Sequence, residues 1–226
     1  MTPERAKALQ HGYDRWLKHT HVRFLAGPRG IALMNTPLLW AWRRLGLRAH
    51  DRVLDVGCGS GALLGFLARR VRPAARWVGV DLSVGFLGFS TRSRPPVSIA
   101  GASAFHLPFP DRTFDVLLSS HVLHHLPASE LGALFSEARR VLRPGGRSLW
   151  WAFVRDSKPS AEARIRRRLG RARPPAEIAA NLFFHTREEV AYHLLRADLE
   201  PQPLDLGHFL LPPVPRFAIA GIRGSD

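Results

Sequence analysis

The chain has 226 residues, 46% of them hydrophobic and 23% charged, which excludes wholesale disorder and suits one α/β domain with extra segments at ~150 residues per domain. No stretch approaches ~18 uninterrupted apolar residues, so no transmembrane segment is expected, and the first residues lack the apolar core of a signal peptide. Cys58 is the single cysteine, so an internal disulfide and a multi-cysteine zinc site are excluded and a reducing cytoplasm is the expected location. The formal charge of +15 is uneven: residues 1–50 hold nine Lys/Arg against two Asp/Glu, and residues 155–175 hold eight against two. All but three of the basic residues are arginine. The excess therefore reads as compositional bias, or as a patch for nucleic acid, anionic lipid or an acidic substrate.

Residues 4–25 have the pattern of one or two amphipathic helices, punctuated at Gly12 and Gly27-Pro28. Thr36-Pro37 opens a second short helix reaching about Leu45. From there the pattern alternates. Strands are predicted at Arg52–Val56, Trp77–Val80, Val97–Ala100, Phe114–Ser119 and Arg147–Phe153. Helices are predicted at Ala62–Val71, Val84–Ser90 and Ser129–Leu142, the last stopped by a turn at Pro144-Gly145-Gly146. A helix over Thr186–Ala197, N-capped by Thr186, precedes two further strands at Glu200–Leu206 and Phe217–Ile222. Strands alternating with helices predict a parallel sheet covered on both faces.

The most informative segment is Val53-Leu54-Asp55-Val56-Gly57-Cys58-Gly59-Ser60-Gly61, between a strand and a helix. Its glycines allow a sharp turn and close approach of a ligand to the main chain. Asp81 follows Gly61 by twenty residues, at the end of the second strand. In a doubly wound sheet a carboxylate there reaches both hydroxyls of a ribose. Gly57, Gly59 and Ala62 also satisfy the dinucleotide fingerprint, so spacing alone leaves the ligand open. Charge separates the readings: Asp55 repels a pyrophosphate and favours a ligand carrying an ammonium or sulfonium. Cys58 reads as a small packing residue rather than a nucleophile.

DVGCGSG resembles the first motif of the class I S-adenosylmethionine (SAM)-dependent methyltransferases. The resemblance continues, in order and with matching spacing, through VGVDLS at 78–83, LPFPDRTFDVLLSSHVLHHLP at 107–127 and EARRVLRPGGRSLWW at 137–151. It covers about residues 50–153 and is closest to the small-molecule branch that includes ubiquinone- and menaquinone-biosynthesis methyltransferases. It implies a Rossmann-like, doubly wound, seven-stranded, mostly parallel sheet with the last strand antiparallel, and SAM as cofactor. Residues 1–50 then read as an N-terminal helical arm or cap. Residues 51–226 read as the methyltransferase domain, with a basic cap insertion at about 154–184.

Carried over residue by residue, the resemblance implies that Asp55, Gly57, Cys58, Gly59 and Gly61 line the methionine part of SAM. Asp81 takes the ribose hydroxyls, Leu82 packs beside the adenine, and Ser119 to His121 face the cofactor after the fourth strand. Ser103 and Ala104 stand where the family often has an acidic residue and alanine, so adenine recognition is expected to be weaker. An oxygen acceptor needs a proton removed, which suits histidine. His121 is the best-placed base, with His124 and His125 behind it, and His185 and His208 lie on segments that could line the substrate side. His121 and His125 have i, i+4 spacing but straddle a strand exit, so no metal site is expected.

The aromatic residues Tyr13, Trp16, Phe24, Trp40 and Trp42 of the arm are candidate cap residues. In the insertion Ser160 could N-cap a helix stopped at Gly170, with Arg164, Arg167, Arg168 and Arg171 on one face. It reads as a solvated basic helix, or as a lid for an anionic acceptor or a membrane surface holding a lipophilic one. A small-molecule acceptor is favoured over an RNA-directed methyltransferase, because SSHVLHH lacks the Asn/Asp-Pro-Pro-aromatic motif of base-amine enzymes. A non-catalytic SAM-binding protein is the other alternative, and the oligomeric state is left open.

Overall fold

The computed structural model describes residues 1–16, 38, 42–74, 77–83, 97–153, 175–204 and 216–225. The expected helices at Val84–Ser90 and after Ser160 lie outside these residues, as do His208 and the aromatic residues Phe24 and Trp40. The described elements are α1 (Pro3–Trp16), β1 (Val53–Val56), α2 (Ala62–Val71), β2 (Trp77–Asp81), β3 (Val97–Gly101) and β4 (Phe114–Ser120). They continue with α3 (Ala128–Val141), β5 (Leu142–Phe153), α4 (Ala176–Ala179), α5 (Arg187–Arg196), β6 (Leu199–Pro203) and β7 (Arg216–Arg223). Short 3-10 turns occupy Trp42–Leu45 and Leu123–His125. No helix among the described residues is long and apolar enough to cross a membrane.

The seven strands form one sheet in the order β3-β2-β1-β4-β5-β7-β6. β1 to β5 pair in parallel, and β7 runs antiparallel between β5 and β6. This is the expected mostly parallel sheet with an antiparallel last strand. The chain order reverses at β1, whose neighbours β2 and β4 lead to opposite halves of the sheet. A crevice at the strand C-termini opens at such a reversal.

Burial on both faces explains why the central strands read as nearly continuous apolar runs. Leu54, Val56, Leu117 and Trp150 project to one face, where α3 contributes Leu131, Leu134 and Phe135 and α5 contributes Val190 and Leu194. Val53, Val116, Leu118, Leu149 and Trp151 project to the other, against Leu63, Leu64 and Leu67 of α2. Each fully buried Leu or Phe stabilises the fold by roughly 1.5–3 kcal/mol. Buried indole groups find acceptors: Trp77 Nε1 donates to Asp51 O at 3.0 Å and Trp150 Nε1 to Ser148 Oγ at 2.8 Å.

Local signals set the helix ends. Thr186 caps α5 by accepting from the Glu189 amide at 3.1 Å, and the Glu189 carboxylate accepts from the Thr186 amide at 2.8 Å. This capping box contributes about 1 kcal/mol. One boundary differs from the sequence reading. Pro144-Gly145-Gly146 stops α3 but forms the irregular start of β5 rather than a free turn. Leu142 pairs with Phe114, the register then shifts, and Arg147 pairs with Val116. Gly145, at φ +71°, takes up the irregularity.

Candidate functional site

The crevice is built by the C-terminal ends of β1, β2 and β4. Leaving β1, the chain passes through Gly57, Gly59 and Gly61, all at positive φ (73°, 54° and 70°). The amides of Gly57 and Cys58 both donate to Val80 O, at 2.8 and 3.0 Å, which ties the loop to β2. A Cβ on Gly57 would clash with Val122 Cγ2, so the loop after β4 can close on the glycine loop only because Gly57 has no side chain. Gly61 precedes α2 with no side-chain cap, leaving the helix N-terminus facing the loop.

Two acids face one another across this loop. Asp81 Oδ2 accepts from the Gly59 amide and Oδ1 from the Ser83 amide, both at 2.8 Å. These two bonds orient the carboxylate and leave its remaining lone pairs for a ligand. Asp55 is 1% exposed, and among the described residues no group donates to its Oδ1. Burial, with the nearby Asp81 charge, pushes the Asp55 carboxyl up to about 7. Burial also raises Asp81, against the lowering effect of its amide donors. A buried carboxylate oxygen without a donor is costly, and a cationic group placed there would satisfy it. The pair therefore fits a ligand that carries both a diol and a cation, and disfavours a bare pyrophosphate.

The other expected residues lie at or just beyond the C-terminal ends of β1 to β4. Cys58 is buried against Gly79, and burial raises its thiol far above the ordinary range, in keeping with a packing role. Leu82 is half-buried behind Asp81, and Ala104 is half-buried against the core at the exit of β3. Ser103 caps a tight turn: its hydroxyl accepts from the Phe105 amide at 3.2 Å, which uses part of its capacity for a ligand. Ser119 ends the buried part of β4 at 3% exposure, and no described group bonds its hydroxyl.

The histidines after β4 pack with Phe153 as a cluster of tilted rings. Ring centroids lie 4.8 Å apart for His121–Phe153, 4.8 Å for His124–Phe153 and 4.2 Å for His124–His125. His121 takes a positive φ of 64°, unusual for a non-glycine residue, with its amide bonded to Trp151 O at 2.7 Å. Strain of this kind persists where the surroundings fix it, often at functional sites. Burial lowers His125 to about 4, so its ring is neutral at ordinary pH. His185 is buried, and its Nε2 bonds the Leu123 and Leu126 carbonyls at 3.1 and 2.8 Å. It braces the turn after β4.

Sequence reasoning missed three residues here. Val122 is the partner of Gly57. Asp14 and Ser83 are joined at 2.6 Å, with Ser83 donating. Tyr13 was legible only as one aromatic residue of the arm, yet its hydroxyl lies 2.5 Å from His125 Nε2. No local pattern signals such pairs, since the partners are 69 and 112 residues apart.

Comparison with known proteins agrees with this geometry. Residues 53–146 match the family described as a methyltransferase domain. The chain is 31% identical over 175 residues to 27-O-demethylrifamycin SV methyltransferase of Amycolatopsis mediterranei, covering 70% of this chain and 57% of that protein. It is 40% identical over 104 residues to the fatty-acid O-methyltransferase of Mycolicibacterium smegmatis, covering 44% and 36%. The chain thus spans between about a third and just over half of the length of these relatives. A crystal structure of a SAM-dependent methyltransferase from Thermotoga maritima, described as a possible histamine N-methyltransferase, shares the fold. Its TM-score is 0.66 at 19% identity, over 94% of this chain and 99% of that one. With four ordered sequence blocks, the β3-β2-β1-β4-β5-β7-β6 sheet and a methyltransferase domain matched over residues 53–146, the chain is similar in motifs and fold to the class I SAM-dependent methyltransferases.

Proposed function

We propose that this protein binds SAM and transfers its methyl group to a small-molecule acceptor, at oxygen or carbon. The observation that carries the reading is Asp55, a buried carboxylate with an unbonded oxygen beside a glycine loop whose facing acid, Asp81, is already oriented. When bound, SAM supplies a methyl group on a sulfonium, so the protein's task is alignment and exclusion of water. Asp81 would take the ribose hydroxyls, with Leu82, Ser103 and Ala104 around the adenine. The main chain of Gly57 to Gly61 would hold the methionine portion, and Asp55 would meet its cationic end. Ser119 and His121 would stand between cofactor and acceptor.

An oxygen acceptor must lose a proton as the bond to carbon forms. We assign that proton to His121, next to the apolar Phe153 ring. His124 is buried and His125 is engaged by Tyr13, so both rank behind it. Relatives named for O-methylation of a fatty acid and of a demethylated rifamycin support a lipophilic, oxygen-bearing acceptor. The lone cysteine supports the cytoplasmic location.

Calorimetric titration of SAM and S-adenosylhomocysteine, with NAD as control, tests this reading. Both sulfur nucleosides should bind and NAD should not. Asp81→Ala should weaken them about tenfold or more, the loss of at least one hydrogen bond to a charged group. Failure of both to bind, or equal affinity in Asp81→Ala, refutes the assignment.

A further inference from the structure

A second concave site lies at the N-terminal ends of β4, β5 and β6, at the opposite end of the sheet from the crevice. Between the C-terminal ends of α3 and α5 and the turn that enters β4 is a polar cleft of about 360 Å³, within the size range of small-ligand pockets. β4 spans seven residues, which puts the cleft roughly 20 Å from the glycine loop.

Five arginines line the cleft against two aspartates. Two of the five serve the fold. Arg223 is 3% exposed, and its Nη1 donates to the Arg139 and Leu142 carbonyls at 3.0 and 2.7 Å. Arg140 bonds Glu137 and the Leu107 and Phe109 carbonyls, and pairs with Asp111 at 2.7 Å. The Arg112 amide takes the Arg140 carbonyl at 2.9 Å. The orphan carbonyls at the end of α3 are thus met by Arg223 and by main chain. The side chains of Arg112, Arg139 and Arg196 exceed what capping this helix requires. Arg139 Nε does meet Asp198 at 3.4 Å, but that carboxylate is 79% exposed, and such a surface pair holds little. With Glu137 behind Arg140 counted as a third acid, positive charge still exceeds negative by two.

The rim carries backbone strain as well. Among the described residues four non-glycine residues have positive φ, and two of them, Arg112 at 57° and Asp198 at 53°, line this cleft. Glycine would occupy either position at lower cost. Charged side chains stand there instead, each with its amide tied to a helix end, Arg112 to Arg140 O and Asp198 to Leu195 O.

We propose that this cleft binds a small anion carrying two or more phosphate groups. Guanidinium groups match phosphate oxygens in paired hydrogen bonds, and three of them in one cleft suit a chain of phosphates better than a single one. Arg112, Arg139 and Arg196 bind the anion, while Arg140 and Arg223 hold the walls. Asp111 and Asp198, both exposed, turn to solvent as the anion replaces them. The site stands whatever the crevice holds.

The test is calorimetric titration of the full chain with sodium tripolyphosphate at ~0.15 M salt, where diffuse attraction is screened beyond about 8 Å. One tripolyphosphate should bind per chain, and sulfate at least tenfold more weakly. Arg139→Gln with Arg196→Gln should weaken tripolyphosphate about tenfold or more. Arg69→Gln with Arg70→Gln removes the same charge from the end of α2 and should leave the affinity unchanged. Equal losses in the two double variants, or no saturation at one anion per chain, overturn the site in favour of general attraction to a basic surface. Competition between tripolyphosphate and S-adenosylhomocysteine also overturns it, because it places the anion in the crevice. Hydrogen exchange on the wild-type chain gives a second reading should a variant fail to fold: tripolyphosphate should slow exchange of the amides near Arg112 and Asp198, and unchanged exchange overturns the site. Vesicles of phosphatidylcholine with phosphatidylinositol bisphosphate identify the source of the phosphates. Retention of wild type, lost in Arg139→Gln with Arg196→Gln, assigns a lipid headgroup; tripolyphosphate binding without retention assigns a soluble anion.

Discussion

Asp55→Asn should make the ligand-free protein more stable at pH 8 and a poorer binder of SAM. The side chain keeps its shape and loses its charge. In the fold, burial and Asp81 hold the Asp55 carboxyl at about 7, against 3.8 for an exposed group. Below about pH 4 the carboxyl is protonated in both folded and unfolded chains, and its charge costs nothing. Between 4 and 7 the unfolded chain releases a proton that the fold retains, so stability falls as pH rises. Above 7 the full cost is present. At ~1.36 kcal/mol per pH unit the ceiling is about 4 kcal/mol; water entering an open crevice reduces it to about 2. For a chain of this size, ~2 kcal/mol moves the melting temperature by roughly 4–8 °C. Thermal unfolding of wild type and Asp55→Asn from pH 5 to 8 should show a gap that widens toward pH 8. SAM titration should show the opposite ranking, with affinity lost about tenfold or more as the attraction of one buried charge disappears. A variant that melts with wild type at every pH would refute the claim that Asp55 is a strained buried charge awaiting a cation.

Gly57→Ala should destabilise the chain by more than ~1 kcal/mol, because it combines positive φ with a clash against Val122 Cγ2; Val122→Ala should recover part of the loss in a denaturant titration. His185→Ala should cost about 1–3 kcal/mol by leaving the Leu123 and Leu126 carbonyls without their donor, and phenylalanine should not rescue it. Cys58 should resist a thiol reagent in the native state and react on unfolding, since burial holds it as the neutral thiol. His121→Ala should slow an O-methylation while leaving S-adenosylhomocysteine affinity unchanged; equal turnover would return His121 to a purely structural duty.

The parts of this protein legible in its sequence are those encoded by neighbours along the chain. Val53–Val56 and Phe114–Ser120 stand out because strands buried on both faces need runs of apolar residues. Thr186 announces α5 because a cap needs a hydroxyl next to the helix and an acid three residues on. The glycine loop and Asp81 were readable for the same reason, their spacing being set by one strand–helix–strand unit. What stayed hidden depends on which distant segments meet. Tyr13 and Asp14 differ little from other polar residues of an amphipathic helix until His125 and Ser83 are brought to them. His185 resembles a site histidine in sequence, and only its two carbonyl partners show that it braces a turn. Pro144-Gly145-Gly146 carries a turn signal, yet pairing with β4 draws the segment into β5.

The charge of the chain and the charge of its site point in opposite directions. A protein with a formal charge of +15 would ordinarily be expected to gather anions. Yet the groups converging on the crevice are the carboxylates Asp55 and Asp81, with Asp14 joined to them through Ser83. His125, bonded to Tyr13 of α1, is held neutral by burial. Arg5 of α1 directs its guanidinium to Glu130, Asn181 and a carbonyl, and Arg15 pairs with Glu177. The local field therefore selects a cation in a chain whose distant field attracts anions. Distant charge is screened within about 10 Å in ordinary salt, whereas buried charge is screened much less, so the local acids decide what the crevice holds. If that is correct, raising salt should weaken any nonspecific association with polyanions steeply and leave S-adenosylhomocysteine binding nearly unchanged. A common salt dependence for both would mean that the basic surface, rather than the acidic crevice, does the binding.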